Sequence, residues 1–223
     1  MTRALRIGAV TPLSTVDWPG RLAAVVFLQG CAWRCSYCHN GHLQDAAGPV
    51  TLGWPHVREF LERRRGLLDA VVFSGGEPTQ QAAALAGAAR EARALGFLTG
   101  LHTAGLYPDK LARLLPLFDW VGLDIKAPRG DYAEITGARG SGDRARESLA
   151  HVLRSGVEYE CRTTWHEGLY PAERLAQLGD ELSAAGVRQW VVQTCREGHR
   201  ALGVPPRSAL AGMPARFERF ELR

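Results

Sequence analysis

Ala23-Ala-Val-Val-Phe-Leu-Gln29-Gly30-Cys31-Ala-Trp-Arg-Cys35-Ser-Tyr37-Cys38-His39-Asn40 joins an apolar, β-branched run to a glycine and then to three cysteines within eight residues. Residues 23–29 read as a buried strand. Five further runs have the same character: Ala70–Ser74, Phe97–His102, Trp120–Asp124, Tyr159–Thr164 and Gln189–Thr194. Helical patterns lie between them, over Trp54–Arg65, Gln80–Leu95, Pro108–Leu115, Asp143–Arg154 and Pro171–Ala185. Gly96, Gly156 and Gly186 follow three of these as helix stops, and Pro108 opens another in its first turn. Roughly six strand–helix alternations predict right-handed βαβ units on a parallel sheet. That is too few for a closed eight-stranded barrel, so an α/β fold follows, a partial (β/α)6 barrel or an open sheet.

Such sheets carry their chemistry at the C-terminal ends of the strands. The informative polar residues all fall there. The cysteine loop follows the first run, and Ser74-Gly75-Gly76-Glu77-Pro78 the second. His102-Thr103-Ala104-Gly105 ends the third and Asp124-Ile125-Lys126 the fourth; Arg162 lies within the fifth and Gln193 near the end of the sixth. One site at one rim is expected.

The 223 residues, 46% hydrophobic and 22% charged, suit a single globular domain that needs no disulfide or metal staple. Its core is expected over residues 14–196. The tail from 197 to 223 contains Pro205-Pro206 and Pro214 and reads as irregular, ending in a short apolar piece, Phe217 to Leu222. No apolar run approaches a membrane span. The charged start, Met1 to Arg6, leads into no signal-like stretch, so a cytoplasmic protein is expected. The net charge of +4 comes from scattered arginines. The densest run, Arg63-Arg64-Arg65, reads as a solvated helix terminus. No basic patch with interleaved aromatics points to nucleic acid. A mild positive field suits an acidic electron-transfer partner such as flavodoxin.

Five cysteines, an odd number with one tight cluster, argue for a metal or redox site over a disulfide framework. The spacing C-x3-C-x2-C can bind three corners of a cubane cluster and leave the fourth iron free. A structural zinc loop is the alternative, with His39 or His42 as the only fourth ligand at hand. Cys161 and Cys195, far from the cluster in sequence, read as ordinary buried strand residues.

With Tyr37 just before its last cysteine, the loop resembles the signature of the radical S-adenosylmethionine (SAM) superfamily. The resemblance implies that Cys31, Cys35 and Cys38 hold a [4Fe–4S] cluster whose free iron chelates SAM. Reductive cleavage of SAM then yields a 5′-deoxyadenosyl radical, which abstracts hydrogen. It also implies that Tyr37 lies against the adenine, and that Gly75, Gly76 and Glu77, matching a Gly-Gly-Glu-Pro motif, receive the methionyl amino group. On residues alone that motif could be a plain glycine-rich turn. Asp124 and Lys126 share a strand face; Lys126 is either a surface lysine or, by the resemblance, the partner of the SAM carboxylate. Arg162 must find an anion or polar partners in a barrel interior, in the site or in a structural ion pair. Thr103 and Gln193 complete the expected contacts. His102 suits an acid–base role or a backbone contact equally well.

The resemblance narrows to the activating proteins of anaerobic ribonucleoside-triphosphate reductase, a branch of the glycyl-radical enzyme activases. It is carried by residues 16–20, 27–31, 37–40, 72–80, 124–128 and 162–164. It implies that the radical takes hydrogen from a glycine of that reductase. His102 and Ala104 depart from the Asp-Thr-Asn-Gly usual at the third strand end, and Thr194-Cys195-Arg196 from the usual Pro-Phe-Arg. Two rivals remain: a small-molecule radical SAM enzyme such as a 7-carboxy-7-deazaguanine synthase-like protein, and a non-enzymatic zinc-loop module.

Overall fold

The computed structural model describes residues 4–50, 52–197 and 200–223. The first three residues of the charged N-terminal stretch, and Gly198-His199 at the start of the expected tail, lie outside the described residues. The elements in chain order are β1 (Ile7–Ser14), β2 (Ala23–Leu28), α1 (Trp54–Glu62), β3 (Ala70–Gly75), α2 (Ala82–Ala94), β4 (Leu98–Thr103), α3 (Pro108–Leu114), β5 (Trp120–Asp124), α4 (Tyr132–Thr136), α5 (Ser141–Ser155), β6 (Glu158–Trp165), α6 (Ala172–Ala184), β7 (Gln189–Thr194), β8 (Arg196–Glu197), β9 (Arg200–Ala201) and β10 (Arg219–Leu222). Among the described residues, eight strands form one sheet in the order β1-β2-β3-β4-β5-β6-β7-β10. The six expected strands are its centre, in sequence order and parallel. The two edges do not pair with each other, so the sheet is an open, partial barrel.

Both edges add to the sequence reading. β1 runs antiparallel to β2, so the sheet is not wholly parallel. Its sequence, Ile-Gly-Ala-Val-Thr-Pro-Leu-Ser, breaks the apolar pattern with Gly8 and Pro12, which an edge strand tolerates. At the other edge, part of the expected irregular tail is ordered. β10 pairs in parallel with β7, Phe220 opposite Trp190. The rings of Trp190, Phe217 and Phe220 pack with centroids 5.3–6.3 Å apart.

The two faces differ in chemistry. The helices cover the outer face over a continuous apolar core that includes Val71, Phe73, Leu85, Leu101, Leu111, Leu123 and Trp190. The inner face carries a smaller cluster of Trp18, Ala23, Val25, Ala70, Val72 and Trp120. Trp18 stacks on Trp120 at 5.4 Å, and only a glycine at position 100 leaves room, because a Cβ there would lie 2.9 Å from the Trp18 ring. This aromatic floor fills the lower lumen and leaves the upper rim to polar side chains. On the same face near β10, Glu160 is buried and accepts two hydrogen bonds from Arg223, at 3.0 and 2.9 Å. A buried carboxylate needs such a partner.

Candidate active site

The cysteine loop leaves β2 through Gly30, which has φ 106°, a region glycine enters without steric cost. Backbone bonds brace the loop: Gly30 N–H donates to Leu43 O (2.7 Å), Cys31 N–H to Gln44 O (3.0 Å) and Arg34 N–H to Thr136 O (2.8 Å). Trp33 is its buried anchor, packed edge-on against Tyr132 of α4. All three cysteines are free thiols; Cys31 and Cys35 are half-buried and Cys38 is exposed. Burial, and then the nearby Glu77 carboxylate, pushes the Cys31 thiol up to about 12. Burial also raises Cys35, against the pull of Lys126.

The turn after β3 presses against the base of this loop. Gly76 N–H donates to Leu28 O and Glu77 N–H to Gly30 O, both at 2.8 Å. A Cβ at position 75 would sit 2.2 Å from Leu28 N, and one at 76 would sit 2.3 Å from Gly30 O. Both glycines are therefore required by close backbone approach. The Glu77 side chain points into the protein. Its Oε1 accepts from Thr79 N–H (3.0 Å), Thr79 Oγ1 (2.5 Å) and Thr103 Oγ1 (2.7 Å); its Oε2 accepts from Ala104 N–H (3.0 Å). Burial raises its pKa and these four bonds oppose the rise. Glu77 and Thr103 thus tie the end of β3 to the end of β4.

A second chain of contacts crosses the rim from the cysteine loop to β4. Lys126 Nζ lies 3.5 Å from the Tyr37 hydroxyl and 5.4 Å from the centre of its ring. The same ammonium is 3.5 Å from Asp124 Oδ2. Asp124 Oδ1 accepts from Arg162 Nε at 3.2 Å. Burial alone would lower the lysine, but Tyr37 and Asp124 hold it well above its ordinary value. Asp124, raised by burial, is brought below its ordinary value by Arg162 and Lys126. Both groups are therefore charged at neutral pH. Gln193 lies one strand on, opposite Thr164 in the β6–β7 register, and its side chain makes no hydrogen bond among the described residues.

His102 closes the line. Its Nε2 is 2.7 Å from the Asp17 carbonyl oxygen and 3.2 Å from Arg162 Nη1. A carbonyl only accepts, so Nε2 carries the proton and meets the guanidinium as a second donor. Burial, then the Arg162 charge, lowers the imidazole to about 4. The ring is neutral and backbone-satisfied, which decides between the two readings of the sequence. His102 rests against Asp17 and Trp120, and Arg162 against Trp120. Asp17 lies in one of the matching segments and Trp120 in an expected strand, but neither was read as a site residue, and only their place beside the inner face reveals that. Cys161 is a buried residue of β6, as expected; Cys195 is buried too, but it lies in the break between β7 and β8 and not in a strand. Cys195 also reaches a cleft of about 760 Å³, together with Tyr37, Cys38, His39, His166 and Leu169.

The model of the family described as the radical SAM superfamily matches residues 25–175. The chain belongs to the radical SAM superfamily. Its relatives carry the assignment further. A Methanocaldococcus jannaschii protein whose name assigns it to the glycyl-radical enzyme activating enzymes is 31% identical over 178 residues, 71% of this chain and 68% of that one. The pyruvate formate-lyase 1-activating enzyme of Escherichia coli K12 is 33% identical over 185 residues, 78% of this chain and 74% of that one. The SAM-bound structure of Streptococcus suis SuiB superposes with a TM-score of 0.64 at 13% identity, over 87% of this chain and 48% of that one. The chain spans about half the length of SuiB, whose likeness shows the fold. This radical SAM protein is therefore an enzyme of the glycyl-radical activase family, and the superfamily's cofactors are a [4Fe–4S] cluster and SAM. The zinc-loop module is set aside by that membership. Among the described residues, no helix is long and apolar enough to cross a membrane.

Proposed function

We propose that this enzyme uses SAM to place a radical on a glycine of an anaerobic ribonucleoside-triphosphate reductase, with a flavodoxin-type protein supplying the electron. The observation that carries the reading is the unbroken line from the cysteine loop through Tyr37, Lys126 and Asp124 to Arg162, beside an open cleft. The choice of reductase rests on the Tyr37-Cys38-His39-Asn40 and Ser74–Thr79 contexts.

The donor set fits the cofactors. Three thiols on one short braced loop suit three irons of a cubane, and no fourth cysteine approaches in sequence. Cys31, Cys35 and Cys38 would hold the cluster. When bound, cluster and SAM together supply a 5′-deoxyadenosyl radical. The protein's own contribution is placement. Lys126, buried and held charged, is a fixed cation for a carboxylate. Asp124 and Arg162 fix the lysine's direction and one another. Tyr37 offers an aromatic face at the loop. Gly75 and Gly76 let backbone approach where side chains would block it.

Deuterium transfer tests the reading. The reductase, labelled with α-deuterated glycine, is incubated with enzyme, reductant and SAM. Deuterium appearing in 5′-deoxyadenosine supports a glycine Cα as the hydrogen source. Unlabelled 5′-deoxyadenosine in equal yield would point instead to a small-molecule substrate.

A further inference from the structure

A second large concavity lies on the outer, helix-covered side. It holds about 1010 Å³ between the N-terminal part of α2, α3 and the segment at Ala46-Ala47. Its floor is small and apolar, built largely from α2 alanines, and its cations are Arg6, Arg90, Lys110 and Arg113. None of the residues lining it is acidic or aromatic. Among the described residues none of the four cations takes part in an ion pair. Arg6 bonds only the Gly48 carbonyl through its guanidinium, and Lys110 rests on the Tyr107 ring. Elsewhere the chain's arginines are widely paired, as with Arg58, Arg129, Arg162 and Arg174. Four cations that lack an acidic partner among the described residues, gathered around one groove, make a local positive field.

The groove also reaches the cysteine loop from behind. Gln29 and Gln80 belong to its lining. The Cβ position of Gly30, the residue before Cys31, is 3.2 Å from Gln80 Nε2 and 3.3 Å from Ala46 Cα. The cleft at Tyr37 and Cys38 shares no lining residue with this groove.

We infer that this groove is the docking site of an acidic one-electron carrier protein, which delivers its electron to the cluster from a surface that the substrate cleft does not share. The inference rests on the function proposed above. One electron leaves the reduced carrier, which is oxidised by one, and the cluster is reduced by one; no bond forms or breaks. The charge pattern asks for an acidic partner, and the alanine floor for a close-fitting protein surface. A nucleic acid is the poorer match, because no aromatic side chain is present to stack on bases. Two separate faces let carrier and substrate protein bind at once.

Calorimetric titration of the reconstituted enzyme with flavodoxin, under anaerobic conditions, tests the site. In the triple variant Arg90→Glu, Lys110→Glu, Arg113→Glu, Kd should weaken by roughly tenfold or more. Added salt should weaken the wild type and leave the variant nearly unmoved. Cluster reduction by reduced flavodoxin, followed by stopped-flow absorbance, should slow in parallel. Reduction by dithionite, which needs no docking, should be unchanged and shows that the variant is folded and loaded. Neutral Gln substitutions at the same positions should give an intermediate Kd. An unchanged flavodoxin Kd in the triple variant, or an oligonucleotide that binds the wild type more tightly than flavodoxin at equal salt, overturns the inference. If flavodoxin docks and reduces as described but no 5′-deoxyadenosine forms with the reductase present, the docking site stands and the proposed function falls.

Discussion

Glu77→Gln changes one atom of the side chain and separates two roles for that residue. The carboxylate accepts four hydrogen bonds, three at Oε1 and one at Oε2, and is 1% exposed. The amide can keep its carbonyl at the Oε1 position, where two hydroxyls and one N–H converge. Its NH2 group then faces the Ala104 N–H, donor against donor. Leaving that buried N–H unmet costs about 1–3 kcal/mol, and the three remaining bonds drop from charge-assisted to neutral strength, about 1 kcal/mol each. Removal of a buried charge offsets part of this. A net loss of about 3 kcal/mol lowers Tm by roughly 6–12 °C for a chain of this size. Circular dichroism melts, with iron content measured after reconstitution, would show both the shift and a looser cysteine loop. If Tm stays within about 2 °C, as for a surface substitution, while SAM binding weakens, the carboxylate faces the ligand and the reasoning is wrong.

Three further outcomes follow from particular contacts. Gly76→Ala places a Cβ against the Gly30 carbonyl at 2.3 Å and the Leu43 carbonyl oxygen at 2.9 Å; both are backbone, so the loop must move, and iron retention should fall severalfold in a colorimetric assay while Gly87→Ala, with open space around it, retains full iron. Arg223→Met leaves the buried Glu160 with only Arg219, 3.9 Å away; since Arg223 is itself 30% exposed, a loss of about 2–3 kcal/mol is expected in urea melts, below the full value for a buried pair, and an unchanged midpoint would place the tail outside the cooperative unit. His102 is lowered from 6.5 to about 4. Between those values the unfolded chain binds a proton that the folded chain does not, so stability falls as pH drops through that window. His102→Gln should flatten the pH dependence of Tm between 6.5 and 4, and an undiminished slope would assign it to other groups.

The central sheet was legible because its strands are short apolar runs separated by helical patterns, three of which stop at Gly96, Gly156 and Gly186. Trp120–Asp124 and Gln189–Thr194 match the structure end for end. The edges were not. β1 hides behind Gly8 and Pro12, and β10 has only four residues, with Arg219 and Glu221 on the inner face. α4 is five residues long, too short for a periodic signal. At the site, period-2 geometry placed Asp124 and Lys126 together correctly. Side-chain direction was beyond the sequence: Glu77 and Thr103 sit in a motif yet turn toward each other. Asp17 reaches His102 across 85 positions, a contact no local pattern encodes. The basic groove was likewise invisible, since Arg6, Arg90, Lys110 and Arg113 are scattered until the fold gathers them.

Electron paramagnetic resonance of the reconstituted, reduced enzyme mixed with SAM and the anaerobic ribonucleoside-triphosphate reductase bears on the central claim most directly. The account predicts a glycyl doublet on the reductase, absent when the enzyme carries Cys35→Ala. Accumulation of 5′-deoxyadenosine without any doublet would contradict it, leaving the radical chemistry but not this partner.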